Sequence, residues 1–252
     1  MSESRELHAR QMTLPGWQET FQERLAKSTV FIAGVGGIGG VVAQYLAMGG
    51  VGEIVLVHDG PLVLPDLNRQ TLMDREGIGK SRVETAAERI RSQIPECRIR
   101  TVDGRISPAL SDLVRISDLL VDARTNFEER FLLNRMAREH KKPLLFAAMN
   151  GMEGLLALLR PGEGACLECI FPEGDPAWDP LGFPVLGSVS GTVGSLAATL
   201  ALRVLAGYGQ KEDDRMLVFD GMDLSLRRLS LARNRACAAC KDEPQKTRRN
   251  LP

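Results

Sequence analysis

The sequence predicts an α/β protein with a Rossmann-like, doubly wound and mainly parallel sheet. Over about the first 150 residues, short apolar runs typical of buried parallel strands alternate with segments of helical periodicity. A glycine-rich stretch separates the first apolar run from the first helix. Beyond that point the pattern changes, and it predicts a second, partly antiparallel sheet in a smaller C-terminal part.

The elements follow in order along the chain. The run TVFIA predicts a first strand at 29–33, and residues 41–48 predict a helix that stops at Gly49 and Gly50. Further strands are predicted at 54–57, 98–102, 119–121 and 144–147, and further helices at 81–93 and up to about residue 139. The C-terminal part has predicted strands at 155–159, 216–220 and 226–231, and a long helix of small residues at 188–206.

The amino-acid composition limits the classes of function that the protein can have. The 252 residues include 32 Lys plus Arg and 32 Asp plus Glu, so the formal net charge is zero. This balance offers no bulk attraction for nucleic acid or an anionic membrane surface. The N-terminal residues contain no apolar signal segment, and Gly or charged residues interrupt the apolar stretches before the length of a membrane span. We therefore expect a cytoplasmic protein without nucleic-acid or membrane partners.

The chain is expected to fold as one fused unit. Its predicted parts are an N-terminal helical arm at 1–28, a nucleotide-binding α/β part at 29–150, a C-terminal part at 151–240 and a disordered tail at 241–252. A proline-rich segment at 172–184 is predicted to be a crossover loop. Its Trp178, Leu181 and Phe183 would either form the wall of a binding channel or anchor the loop to the core.

A glycine-rich turn is the first candidate site. These glycines lie between the first predicted strand and the first predicted helix. Glycines in this position indicate a nucleotide-binding site, because the backbone there can approach a phosphate or ribose closely. A tight turn without a ligand is the alternative. The glycines alone do not separate NAD from ATP, although a dehydrogenase would usually place one acid where His58 and Asp59 stand. The four glycines are Gly34, Gly36, Gly37 and Gly39.

Four of the five cysteines form two C-x-x-C pairs, Cys166/Cys169 and Cys237/Cys240. Four thiolates at this spacing favour a tetrahedral structural Zn²⁺ with no open position. Two redox motifs or a pair of disulfides are the alternatives. Cys97 is predicted to be a small buried apolar residue.

Further motifs along the chain are the pair Arg10–Gln11, the segment PDLNRQ at 65–70 and the segment GKSRVE at 79–84. Together with the glycine turn and the two cysteine pairs, they make the chain resemble the ThiF/MoeB/HesA family, the bacterial relatives of ubiquitin-activating enzymes, and most of all its MoeB branch. The resemblance extends from about Arg5 to Cys240, nearly the whole chain.

The resemblance implies a homodimer that uses ATP and Mg²⁺ to adenylylate the C-terminal Gly-Gly carboxylate of a small ubiquitin-like sulfur-carrier protein. It implies catalytic roles for Arg69, Arg82 and Arg10, the last as a finger that reaches into the partner subunit's site. The positions that it implies for nucleotide binding are Gly34, Gly36, Gly37, Gly39, His58, Asp59, Asp66, Asn68, Arg69, Gln70, Lys80, Arg82, Asp122, Thr125 and Asn126.

Four positions depart from the family pattern. His58 replaces an acid expected on the ribose, and Asp66 replaces an asparagine. Arg82 replaces a phosphate-binding lysine, with Lys80 as the alternative contact. Thr125 replaces the expected Mg²⁺ carboxylate, which predicts a weakened or rearranged metal site in which Asp122 or Asp66 takes over.

These departures leave two alternatives to carrier adenylylation. One is a catalytically impaired homologue that acts as a dimeric nucleotide- or carrier-binding module. The other is an adenylating enzyme for a different carboxylate. Because no cysteine lies between residues 170 and 194, we predict no thioester step on this chain.

Overall fold

A computed structural model describes residues 3–174, 182–210 and 214–241 of the chain. Its described strands form one mixed eight-stranded sheet in the order β3-β2-β1-β4-β5-β6-β7-β8. The strands are β1 (Thr29–Ala33), β2 (Glu53–His58), β3 (Arg98–Asp103), β4 (Leu119–Asp122), β5 (Leu144–Asn150), β6 (Glu153–Leu159), β7 (Arg215–Asp220) and β8 (Ser225–Ser230).

The helices cover both faces of this sheet. The α-helices are α1 (Glu3–Leu7), α2 (Ala9–Met12), α3 (Glu19–Lys27), α4 (Gly39–Met48), α5 (Arg82–Gln93), α6 (Ser111–Ile116), α7 (Phe127–Glu139), α8 (Leu167–Ile170) and α9 (Gly187–Ala206). Short 3₁₀ helices lie at Leu64–Asn68, Arg75–Gly77 and Pro108–Leu110. The doubly wound α/β prediction is confirmed.

The prediction of a second sheet is wrong. Strands β1 to β5 pair in parallel, and β6, β7 and β8 continue the same sheet in antiparallel pairing. The register pairs Asn150 with Glu153, so only Gly151 and Met152 connect β5 to β6. Such a short connection forces the next strand to pair beside the previous one. Strand patterns show where strands lie but not which neighbour each one has.

The side chains of β1 point alternately to the two faces of the sheet, and each face has its own core cluster. Val30 and Ile32 belong to the cluster beneath α4, α5 and α9, whereas Phe31 and Ala33 belong to the cluster beneath α6 and α7. All four side chains are fully buried, as expected of a strand covered on both faces.

Helix α9 corrects the expectation that the apolar stretches of the chain are too short to span a membrane. By length and composition this 20-residue helix is apolar enough to cross a membrane. It packs against α3, α4, β5 and β6, and half of its most apolar window is buried inside the protein. A Cβ at Gly194 would lie 2.8 Å from Cβ of Val41, so glycine allows α9 to approach α4 closely. The helix is therefore a core element of the fold.

The predicted elements are found with boundaries that differ by a few residues. The largest extension is in β5, which reaches Asn150. Phe183 of the predicted crossover loop packs against the first core cluster, whereas Trp178 and Leu181 lie outside the described residues. The predicted tail also lies outside them, apart from Lys241.

Candidate nucleotide-binding site

A cavity of about 750 Å³ lies at the carboxyl ends of the parallel strands. Its walls come from the segments after β1, β2 and β4, the second half of β5, the 3₁₀ helix at Leu64–Asn68 and the first turns of α5 and α9. The sheet order reverses direction between β1 and β4, and ligands of open α/β sheets bind at this kind of switch point.

The glycines of the turn after β1 divide into two pairs. Gly34 has φ +97°, and a Cβ there would lie 2.5 Å from the carbonyl oxygen of Ala123. A Cβ at Gly39 would overlap the carbonyl oxygen of Gly34. These two glycines let the turn pack against the loop after β4, and they do not line the cavity. Gly36 and Gly37 do line it, so the predicted ligand contact is possible for this pair.

His58 fastens the glycine turn to the end of β2. Its Nδ1 accepts a hydrogen bond from the backbone N–H of Val35 at 2.9 Å, which places the ring proton on Nε2. Burial, reinforced by the charges of Arg82 and Arg124, lowers the pKa of His58 to about 3. The ring therefore stays neutral at physiological pH. It lines the cavity but cannot act as the acid that the family pattern places here.

Arg69 and Arg82 lie side by side on one buried carboxylate. Asp66 is 4% exposed, because the 3₁₀ helix folds it back onto the backbone N–H of Val63. Its Oδ1 accepts a hydrogen bond from Nη2 of Arg69 at 3.1 Å, and its Oδ2 lies 3.6 Å from Nη1 of Arg82. The structure thus brings together both predicted phosphate-binding arginines, and Asn68 beside them also lines the cavity.

Gln70 supplies an unsatisfied polar atom in the cavity wall. The residue is 3% exposed, and its Oε1 has no hydrogen-bond partner among the described residues. Buried polar atoms are nearly always paired in folded proteins. An acceptor that the protein leaves unpaired at a cavity fits a ligand with hydrogen-bond donors, as nucleosides have.

A charged network joins the predicted site residues Asp59 and Asn126 to Arg105, Arg124 and Glu129, which were not predicted. Nη2 of Arg124 donates to Oδ1 of Asp59 and to Oε1 of Glu129, both at 2.8 Å. Asn126 caps the N-terminus of α7 and donates from Nδ2 to the same Glu129 oxygen at 2.7 Å. Arg105 approaches Glu129 from β3's side at 3.2 Å. Only the position of Arg124 in the loop after β4 could have indicated its role.

The charges of this network are fixed by its hydrogen bonds. Burial alone would raise the pKa of Asp59, but the hydrogen bond and charge of Arg124 outweigh it and lower the pKa. The pKa of Glu129 is also lowered, because the backbone N–H of Ile106 and the side chain of Arg124 offset the effect of burial. Both carboxylates are therefore ionised.

The donor set does not fit the Mg²⁺ site of the family pattern. Asp122 is fully buried, forms an ion pair with Arg130 at 3.1 Å and does not line the cavity. Burial raises the pKa of Asp122 despite that arginine. Asp66 is held by two arginines, and Thr125 offers a hydroxyl group. The expectation that Asp122 or Asp66 replaces the missing metal carboxylate is therefore not met.

Besides Gly34, Gly39 and Asp122, two further predicted site residues lie away from the cavity. Lys80 is exposed and does not line it, so the structure does not support Lys80 as the alternative to Arg82. Arg10 is exposed on α2 and also lies outside the cavity wall. Its predicted role would require a second subunit.

The four paired cysteines converge on one point. Their Sγ atoms all lie within 4.8 Å of one another, with separations of 3.8 Å for Cys166–Cys169, 3.7 Å for Cys166–Cys237 and 3.4 Å for Cys169–Cys240. Tetrahedral sulfur ligands at the usual zinc distance would be about 3.8 Å apart. A disulfide needs about 2.05 Å, so these sulfurs form no disulfide in this structure. The cluster is compatible with the predicted zinc clip.

Helix α7 holds the first cysteine pair in place. The carboxylate of Glu168 accepts hydrogen bonds from Arg135 at 2.9 and 3.0 Å and from Asn134 at 3.2 Å. Nε of Arg138 donates to the carbonyl oxygen of Ala239, which lies in the second pair. The cluster therefore joins the C-terminal segment to the parallel half of the fold.

Cys97 is a core residue, as predicted. It is 3% exposed, and burial, with the charge of Glu53 as the smaller cause, raises the pKa of its thiol to about 12. A thiol in this environment is a poor nucleophile.

Comparison with known proteins agrees with this architecture. The model of the ThiF family matches residues 8–239. A heterocyst HesA protein of Trichormus variabilis is 42% identical over 93% of this chain and 88% of that protein. A sulfur carrier protein adenylyltransferase of Thermus thermophilus is 36% identical over 96% of this chain and 92% of that protein.

A solved structure shares the fold. The crystal structure of E. coli MccB with ATP superposes with a TM-score of 0.77 at 21% identity, covering 88% of this chain and 68% of that one. The family motifs, the fold and the family match together establish the assignment that the sequence predicted: this chain belongs to the ThiF family.

Proposed function

We propose that this chain uses ATP to adenylylate the C-terminal Gly-Gly carboxylate of a small ubiquitin-like sulfur-carrier protein. The observation that carries the proposal is the cavity, whose wall contains Gly36, Gly37, Arg69 and Arg82 and whose volume suits a nucleotide. The similarity to the Thermus thermophilus sulfur carrier protein adenylyltransferase supports the carrier as the substrate class.

In the proposed reaction a carboxylate oxygen of the carrier attacks the α-phosphorus of ATP. The bond from that phosphorus to the oxygen that bridges to the β-phosphate breaks, and pyrophosphate leaves with its electron pair. Negative charge spreads over the phosphate oxygens, and positioned guanidinium groups stabilise it. Arg69 and Arg82 are positioned for this because Asp66 holds them together.

The reaction is proposed to stop at the acyl adenylate. All five cysteines fall within the described residues: Cys97 is enclosed in the core and the other four form the cluster. None of them lines the cavity, so no thiol is placed to take the acyl group from the adenylate.

We also propose a homodimer. Gln11 donates from Nε2 to the carbonyl oxygen of Gly49 at 3.1 Å and to Gln22 at 2.8 Å, which fixes the N-terminal arm at the end of α4. Arg10 is exposed beside this anchor. Exposed apolar side chains on the arm and on α4 supply a surface for the second subunit: Leu7, Leu14, Tyr45 and Met48.

The test is ATP–pyrophosphate exchange with purified ubiquitin-like proteins ending in Gly-Gly from the same genome. We expect exchange that depends on the carrier, a gain of AMP on the carrier by mass spectrometry, and no signal when the two terminal glycines are deleted. Nucleotide binding without exchange would favour a binding module. Exchange with another carboxylate alone would exclude the sulfur carrier as substrate.

A further inference from the structure

The wall of the nucleotide cavity carries more positive than negative charge. Among the described residues its ionised side chains are five arginines and three carboxylates, since His58 is neutral. They are Arg69, Arg82, Arg105, Arg124 and Arg130, and Asp59, Asp66 and Glu129. Asp122, which is buried behind the wall, forms an ion pair with Arg130. When this carboxylate is included, the guanidinium groups still outnumber the carboxylates. A cavity of this kind favours a ligand with several negative charges.

Every carboxylate of the wall is already held by arginine. Asp66 lies between Arg69 and Arg82, as described above. Glu129 is 2% exposed and lies between Arg124 at 2.8 Å and Arg105 at 3.2 Å. Asp59, whose side chain is 43% exposed, is held by Arg124 at 2.8 Å.

This arrangement is unfavourable for a divalent cation. Mg²⁺ takes hard anionic oxygens in a strict octahedral geometry. To supply them here, Asp66 or Glu129 would have to leave an ion pair that is largely removed from water, and Asp59 would have to leave Arg124, so that a released guanidinium would face the metal in each case. Thr125, which lines the cavity beside Arg124, contributes no anionic oxygen.

Arg124 has the geometry of a phosphate ligand instead. It is 7% exposed, and Glu129 and Asp59 hold its Nη2. Its Nε is buried without a hydrogen-bond partner among the described residues. Arg124 lines the cavity with a guanidinium group that two carboxylates hold in place, and a positioned guanidinium group is well suited to bind phosphate oxygens.

We propose that the cavity binds nucleotide phosphates directly through its arginines, with Arg124 as the central charge, and that nucleotide binding requires no divalent cation. This inference rests on the proposed function, because it concerns the same nucleotide. In this proposal the positive charge of Arg124 takes the place of the positive charge of a metal ion beside the phosphates.

Isothermal titration calorimetry with ATP tests the inference, with and without added Mg²⁺. Buffers and sodium ATP are freed of divalent ions on a chelating resin, because soluble EDTA would also compete for a metal in the cysteine cluster. We expect the Kd of the wild-type protein to agree within about threefold between the two conditions.

Two cavity variants and one control sharpen the test. Arg124→Gln should weaken binding in metal-free buffer by about tenfold. Thr125→Asp adds a carboxylate beside Arg124, so it should weaken metal-free binding and restore it when Mg²⁺ is added. Arg115→Gln removes an exposed arginine on α6 that pairs with Asp112 away from the cavity, and it should bind like the wild type. Circular dichroism melting checks that each variant is folded.

The outcomes separate this inference from the proposed function. Wild-type binding that weakens more than about tenfold without Mg²⁺ overturns the inference and leaves adenylylation in place. Unchanged metal-free affinity in a folded Arg124→Gln variant also overturns it. No ATP binding in either condition contradicts the proposed function itself. The wild-type comparison needs no variant, so a misfolded Arg124→Gln protein does not prevent a decision.

Discussion

The cysteine cluster and the nucleotide cavity use polar groups in opposite ways. In the cluster, four Sγ atoms lie within 4.8 Å of one another, and a tetrahedral metal ion bound to all four would have no position left for a substrate. In the cavity, Oε1 of Gln70 and Nε of Arg124 are buried without partners among the described residues. Unsatisfied buried groups cost stability, and they persist where a ligand completes them. The cluster should therefore contribute to stability and the cavity to binding.

The largest effect is expected from removing the arginines that are assigned to the reaction. Arg69→Ala should reduce pyrophosphate exchange about 100-fold or more, and Arg10→Ala should do the same if each arginine serves one shared site. Arg10→Ala should melt close to the wild type, whereas Arg69→Ala should melt somewhat lower, because the buried Asp66 then keeps only Arg82 as its partner.

Mixing the two variants tests the proposed dimer. Subunits that exchange freely give one intact site in each mixed dimer, because Arg69 comes from one subunit and Arg10 from its partner. About a quarter of the wild-type exchange rate should return. A mixture as inactive as the separate variants would contradict the shared site.

Disrupting the cysteine cluster should lower the stability of the protein and leave its nucleotide binding unchanged. Cys166→Ser should abolish bound zinc, as measured by plasma mass spectrometry, and lower the Tm by roughly 10 °C, because the C-terminal segment loses its link to α7. The affinity for ATP below the transition should hardly change. Cys97→Ala is the matched control: it should keep the zinc and lose only a little stability. Equal zinc content in the wild type and Cys166→Ser would rule out the clip.

The smallest expected effect concerns His58, at the edge of the cavity. Its pKa is 6.5 in an ordinary environment and about 3 in the fold, so the unfolded chain binds one more proton between these values. Stability from this group is full above pH 6.5 and falls as the pH drops towards 3, by about 1.4 kcal/mol per pH unit.

His58→Asn removes this titration and keeps a side-chain acceptor for the N–H of Val35. Urea unfolding between pH 4 and pH 8 should therefore show a shallower loss of stability in the variant than in the wild type. Parallel pH profiles would show that the fold does not lower the pKa of His58.

Some elements of the fold could be predicted from local sequence patterns, and others could not. The run Thr29–Ala33 was predicted with the bounds that the structure has, because burial on both faces leaves an uninterrupted apolar signature. The spacing within each cysteine pair likewise indicated a metal site. The place of β6 beside β5 was missed, since strand partners depend on connection geometry and not on the strand's own residues.

The candidate site was predicted only in part. Motif context identified Arg69, Gln70 and Arg82, and all three line the cavity. It also suggested Lys80 and Asp122, which are excluded from the wall because one points into solvent and the other is enclosed with Arg130. The importance of Arg124 depends on partners 65 residues before it and five after it, which no local pattern reveals.

By itself the sequence determined the strands and helices, the glycine turn and the two cysteine pairs, because each depends on neighbouring residues and their periodicity. The tertiary structure alone decided which polar groups are satisfied. Whether His58 is neutral, whether Asp66 is free for a metal and whether Arg124 has a donor to spare are matters of burial and partner. These follow from how distant segments meet at the edge of the sheet, and free energies of charge depend on that environment.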